Sequence, residues 1–181
     1  MQRPTTYIED PSIAMQPVRL SDGDFAAAME SFTIVGTDVL FVNRTNQTIY
    51  LAQRIALPLQ GFWMIGGRMF AGENEFESMK RTVKRETSLD LPTDRFELIT
   101  VNRYLWATRA QEPHDKGSDN LCYTFVAELT PDELAVASHN LDRDEYDASA
   151  GLTEFDAAHL EASNVHQAIK DLYALIFPSV A

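Results

Sequence analysis

Residues 67–89 read GRMFAGENEFESMKRTVKRETSL, and this stretch decides the fold. After Gly72 the apolar residues Phe76, Met79 and Val83 fall at i, i+3 and i+7, the stripe of one helix face, which predicts a helix from about Glu73 to Thr87. Pro92 prevents its continuation. Three residues beyond Val83 the same stripe reaches Glu86. A carboxylate turned toward a packed side is costly unless something positive or a set of donors meets it, so a metal ion or an arginine is expected against Glu86. The plainer reading leaves Glu86 in a fraying last turn, paired with Lys84 or Arg85. Glu77 and Arg81 stand four residues apart and read as an ion pair on the flank, worth roughly 0.3–0.5 kcal/mol.

Working outward, the short apolar run from Trp63 to Ile65 reads as a strand entering the glycine pair Gly66 and Gly67, and IALPLQGF before it reads as an irregular loop. Further upstream, FTIVGTDVLFV (32–42) and TIYLAQR (48–54) are rich in β-branched and aromatic residues and flank the turn NRTNQ, the pattern of a hairpin. Ser21, followed by Asp22 and Asp24, marks the N-cap of a short helix from Asp22 to about Glu30. Downstream, FELITVNRYLWAT and LCYTFVAEL read as two antiparallel strands joined by the polar loop AQEPHDKGSDN. Thr130, Pro131, Asp132 and Glu133 start a short helix; Asn164 is expected to cap a final one whose Ile169, Leu172, Leu175 and Ile176 are buried. The order predicts an α+β fold, a mixed sheet sandwiched between helices in α/β/α layers, with the helix from about Glu73 to Thr87 following a Gly66–Gly67 loop.

A chain of 181 residues, 45% of them apolar, suits one compact domain. We expect that domain over 20–181, with an N-terminal extension over 1–19, where three prolines interrupt any regular element. The net charge of -12 disfavours nucleic acid and anionic membrane surfaces as partners, although a few arginines converging in a cleft can still hold a small phosphorylated ligand. No run approaches the roughly 20 apolar residues of a membrane helix. Cys122 is the sole cysteine, which excludes an internal disulfide and fits a cytoplasmic location.

Residues 67–89 resemble the Nudix box, G-x5-E-x7-R-E-U-x-E-E-x-G-U with U aliphatic, through Gly67, Glu73, Arg81, Val83, Glu86 and Leu89. Thr82 and Arg85 stand where that pattern has glutamates, and Ser88 where it has glycine. Around the box, SDGDFAAAMESFTIVGTDVLFV, LAQRIALPLQGFW, GGR and ASNVHQA are similar to the Nudix branch that acts on GDP-mannose, a likeness running from about Leu20 to Phe177.

The resemblance implies a hydrolase of a nucleotide sugar, GDP-mannose or a related GDP-hexose, in which water attacks the anomeric carbon and GDP departs. It implies one Mg2+, or Mn2+, held by the Gly66 carbonyl, Glu86 and Asp142. With carboxylates missing at Thr82 and Arg85, a cluster of several ions is hard to assemble. Arg54 and Arg68 match phosphate-binding arginines that also serve catalysis, Tyr123 a phosphate-contacting tyrosine, and Asp38 an aspartate on the sugar side. A homodimer formed through the N-terminal segment is implied as well. The chain departs from the family pattern at two further places: WMIGG is one residue shorter than the matching family stretch, and Arg143 occupies the place of the general-base histidine. Guanidinium stays protonated and cannot take a proton from water, which leaves Asp144, Glu145 or a rearranged His139 as the base. The alternative reading is a catalytically inactive relative that binds a nucleotide sugar or a protein partner through the same cleft.

Overall fold

The computed structural model describes residues 4–10, 12–13 and 15–178. Ser21 accepts a hydrogen bond from the Asp24 N–H at 3.2 Å and caps helix α1 (Asp22–Ser31), as its sequence predicts. Phe32, expected to open the first strand, instead closes α1 by donating its N–H to the Ala28 carbonyl, so β1 covers Ile34–Asn43. The Asn43 side chain accepts from the Asn46 N–H and tightens the turn into β2 (Thr48–Arg54), which completes the expected antiparallel hairpin. There follow β3 (Gly61–Trp63), β4 (Ile65–Arg68), α2 (Glu75–Thr87), β5 (Glu97–Trp106), β6 (Ser118–Glu128), α3 (Pro131–His139), β7 (Leu152–Phe155), α4 (Ala157–Ala162) and α5 (Gln167–Ile176).

The strands form one mixed seven-stranded sheet of order β3-β2-β1-β6-β5, with β4 added on β1 and β7 on β2. The expected α+β layering is therefore present. β5 and β6 are antiparallel as predicted, while β6 runs parallel to β1 along its whole length, Ile34 facing Asn120 and Val42 facing Glu128. β1 is central and covered on both faces, which is why VLFV reads as a continuous apolar run rather than an alternating one. On one face Val39, Phe41, Ile65 and Phe125 pack against Phe76, Met79 and Val83 of α2. On the other, Leu40, Val42 and Leu51 pack against Leu160 of α4 and Ile169 and Leu172 of α5.

The free edge of β1 is shared. β4 pairs with its first half, from Gly36 to Val39, and β2 with its last residues, Phe41 to Asn43. The two neighbours therefore diverge, and a cleft lined by Gly36, Asp38, Arg54, Gly66 and Arg68 opens beside them.

Further local expectations are corrected. Gly66 and Gly67 form no loop but lie within β4, paired with Asp38 and Thr37 of β1. Helix α2 begins at Glu75, because Asn74 accepts from the Phe76 and Glu77 N–H groups and Glu77 returns a carboxylate oxygen to the Asn74 N–H. Glu77 is thus committed to this capping box, and Arg81 reaches Glu73, outside the helix, instead of Glu77. The last helix is capped by His166 rather than Asn164, its Nδ1 accepting from the Ala168 N–H, and Leu175 is 55% exposed because the buried stripe runs Ile169, Leu172, Ile176. Finally, β7 and α4 were not anticipated: four strand residues and six helical ones are too few to display a period.

The described residues before Leu20 form neither helix nor strand and lie exposed along the surface. Met15 crosses the loop between β4 and α2, where Gly72 (φ +90) leaves it room: a Cβ there would stand 2.9 Å from the Met15 Cβ. Among the described residues no helix is long and apolar enough to cross a membrane.

Candidate functional site

The cleft has a volume of about 430 Å3 and lies between the diverging strands, α1 and the loop that follows β5. Its floor is Asp38, only 6% exposed. The backbone at Gly66 passes so close that a Cβ would stand 2.0 Å from the Asp38 Oδ1, so glycine is required there by the carboxylate itself. Burial pushes the Asp38 carboxyl up to about 6, against the opposing pull of a hydrogen bond with Cys122 and the charge of Arg54. The same burial, with Asp38 beside it, raises the Cys122 thiol well above its ordinary value.

Five arginines line the cleft: Arg19, Arg54, Arg68, Arg85 and Arg109. Two are committed to structure. Arg54 donates to the Ala56 and Leu57 carbonyls at 3.1 Å and pairs with Glu145 at 2.7 Å, which ties the end of β2 to the acidic loop of residues 142–147, between α3 and β7. Arg109 is buried, paired with Glu30 at 2.8 Å and donating to the Ala26, Gln111 and Glu112 carbonyls, so it fastens the loop after β5 to α1. Arg68 is held differently. Its guanidinium lies 4.0 Å from the centre of the Phe25 ring, and burial, with the nearby Arg85, Arg19 and Arg81 charges, lowers its proton affinity. Cations crowded in this way create a potential that a bound anion relieves.

An aromatic wall stands opposite. Tyr104 and Trp106, two residues apart on β5, stack with ring centres 5.3 Å apart, and the Trp63 ring meets both edge-on. Tyr104 and Trp63 are themselves buried, so the half-buried Trp106 is the ring of the three that can offer a face to a base or sugar.

Glu86 is fully buried, as the helical stripe predicts. Both readings of its surroundings carry something: it is buried, and its partner is Arg85. The Arg85 Nε donates to Glu86 Oε1 at 2.8 Å and Nη2 binds the same oxygen, while Glu86 Oε2 has no partner among the described residues. Burial raises the Glu86 carboxyl to about 7; Arg85 opposes the shift, and Glu145 and Asp142 add to it. A divalent ion such as Mg2+ needs about six oxygen ligands. Among the described residues no three His, Cys, Asp or Glu side chains converge to offer them, and the Arg85 guanidinium already sits on Glu86. The side chains present do not fit a resident divalent ion.

The structure brings Asp38, Arg54, Gly66, Arg68 and Glu145 together in the cleft lining, and Glu86 adjoins it through Arg85. Asp142 is fastened by its backbone, donating its N–H to the Glu86 carbonyl at 2.9 Å, while its Oδ1 accepts from the Asp144 N–H. Tyr123 lies apart: it packs with the α2-side cluster, on the face of the sheet away from Asp38. Asp144 and Arg143 are exposed outside the lining, as is His139 at the end of α3. Sequence reasoning missed Arg19, Arg109 and the aromatic wall, and gave Arg85 as a partner of Glu86 without placing it in the cleft. The i, i+2 spacing of Tyr104 and Trp106 on a strand was a usable signal; nothing local marked Arg109.

No protein-family model and no curated protein sequence matches this chain. Solved structures do. A MutT NUDIX hydrolase from Burkholderia pseudomallei superimposes with TM-score 0.57 at 17% identity, covering 79% of this chain and 96% of that one. The NUDIX domain of Shewanella oneidensis NrtR, solved with ADP ribose, gives 0.52 at 12% identity over 84% of this chain and 96% of that one. Against a MutT/nudix family protein from Enterococcus faecalis (TM-score 0.47, 16% identity, 75% of this chain) the match spans only 51% of that protein's length. At these identities the likeness speaks for architecture alone, and the architecture is clear: this chain has the Nudix fold.

Proposed function

We propose that the cleft binds a nucleoside diphosphate sugar, GDP-mannose or a related GDP-hexose, and hydrolyses it at the anomeric carbon. The observation that carries this reading is the convergence of Arg19, Arg68 and Arg85 beside an aromatic wall and a buried Asp38, in a chain whose net charge is -12. The ADP ribose held by the Shewanella domain, itself a nucleotide diphosphate joined to a sugar, supports the same ligand class. In the reaction a water oxygen bonds to the anomeric carbon, and the bond from that carbon to the diphosphate oxygen breaks. The electron pair leaves with the diphosphate, which Arg68 and Arg85 neutralise, and the water proton passes to a cleft carboxylate, Glu145 or Asp38.

A second reading, binding without turnover, is favoured by one observation: Glu145, a candidate base in the cleft lining, is held by Arg54 at 2.7 Å. Incubation with GDP-mannose, following free GDP and mannose, separates the two. Release that falls about a hundredfold or more in Arg68→Ala is expected of the hydrolase. Saturable binding with no release supports the second reading, and neither binding nor release overturns both.

A further inference from the structure

Arg85 is half exposed, yet it wraps back along α2 onto the buried carboxylate of its own neighbour, Glu86, with two of its nitrogens on one oxygen. A guanidinium carries five N–H donors in a planar fork, so donors remain for the cleft that Arg85 lines. The backbone has been cleared for this path. A Cβ at Gly67 would stand 3.3 Å from the Arg85 Nη2 and 3.2 Å from two atoms of Thr82, so Gly67 lets the side chain cross β4 closely. Thr82 and Arg85, the two places where the box lacks glutamates, thus lie side by side against the same glycine. One brings no charge and the other a positive one, where a divalent ion would need negative oxygens.

We propose that Arg85 is the built-in cation of this cleft: its guanidinium stands against Glu86 in place of a divalent ion, and the diphosphate is bound without metal. The inference rests on the nucleotide-diphosphate reading above. Glu86 acts here as a positioning residue, aiming Arg85 at the phosphates beside Arg68. A site of this kind has a fixed charge and a fixed geometry, independent of metal supply and of chelators.

The test is calorimetric titration with GDP, in EDTA and in Mg2+, of the wild-type protein, Arg85→Ala and Arg85→Lys, with circular dichroism to confirm that each variant is folded. The wild type is expected to bind GDP with a Kd that differs by less than about twofold between EDTA and Mg2+. Arg85→Ala should weaken binding in EDTA by about tenfold or more, with Arg85→Lys between, because lysine keeps the charge and loses the fork. A separate titration with Mn2+ alone, followed by the paramagnetic signal of the free ion, should show no stoichiometric binding to the wild type. GDP binding that requires Mg2+, or Mn2+ binding that Glu86→Gln abolishes, would overturn the inference and leave the nucleotide reading standing. Absence of GDP binding under both conditions would overturn the nucleotide reading and this inference with it.

Discussion

Asp38 shows at the scale of one residue how the cleft trades stability for chemistry. Its folded-state value, about 6, lies above the ordinary 3.8, so folding favours the protonated form. Stability from that form is complete below about pH 4 and is lost as pH rises through about 6, a change of about 3 kcal/mol. Asp38→Asn keeps the shape and removes the charge. Thermal melts of the two proteins should therefore nearly coincide at about pH 4 and separate above about pH 6, with the variant more stable; a difference independent of pH would contradict this account of Asp38. The residue also shows what sequence could supply. The resemblance marked Asp38 by its position in GTD, but its closeness to Gly66 comes from the pairing of β1 with β4, which no local pattern encodes.

At the scale of the element, α2 is the part most legible in advance. Its stripe and the inward turn of Glu86 follow from a period of 3.6, its expected end before Pro92 from the missing proline N–H, and the structure agrees on each. Its first turn was misjudged because Glu77 could serve either a capping box or an ion pair with Arg81, and only the position of Glu73 in the preceding loop decides between them. Its last turn shows what the glycine of the box would supply. Ser88 adopts φ +61 at the C-cap, a left-handed conformation that glycine takes without strain. Ser88→Gly should raise unfolding free energy by about 0.5–1 kcal/mol in urea titration, with ligand binding unchanged. A destabilised variant would mean that the serine hydroxyl makes a contribution the cap geometry does not reveal. The strands were legible as strands; their order was not, since the parallel pairing of β1 with β6 and the splitting of one edge between β2 and β4 are non-local.

At the scale of the whole molecule, the cleft is assembled from pieces far apart in sequence: α1, the ends of β1 and β4, the wall on β5 and the helix after the glycine pair. Arg109 joins the loop after β5 to α1 from inside, through Glu30, and Lys116 holds the same carboxylate at 2.9 Å. The acidic loop is fastened on the other side by the Arg54–Glu145 pair and by the Ile55 N–H, which donates to the Glu145 carbonyl at 2.9 Å. The site is thus fixed by ion pairs at its rim, and three arginines, Arg19, Arg68 and Arg85, remain turned toward one small volume. That convergence is the central claim, and a crystal structure of the protein grown with GDP-mannose tests it most directly. The account predicts the diphosphate between Arg68 and Arg85, with the hexose over Asp38. A nucleotide sugar seated anywhere else, or a cleft left empty at saturating ligand, would contradict it.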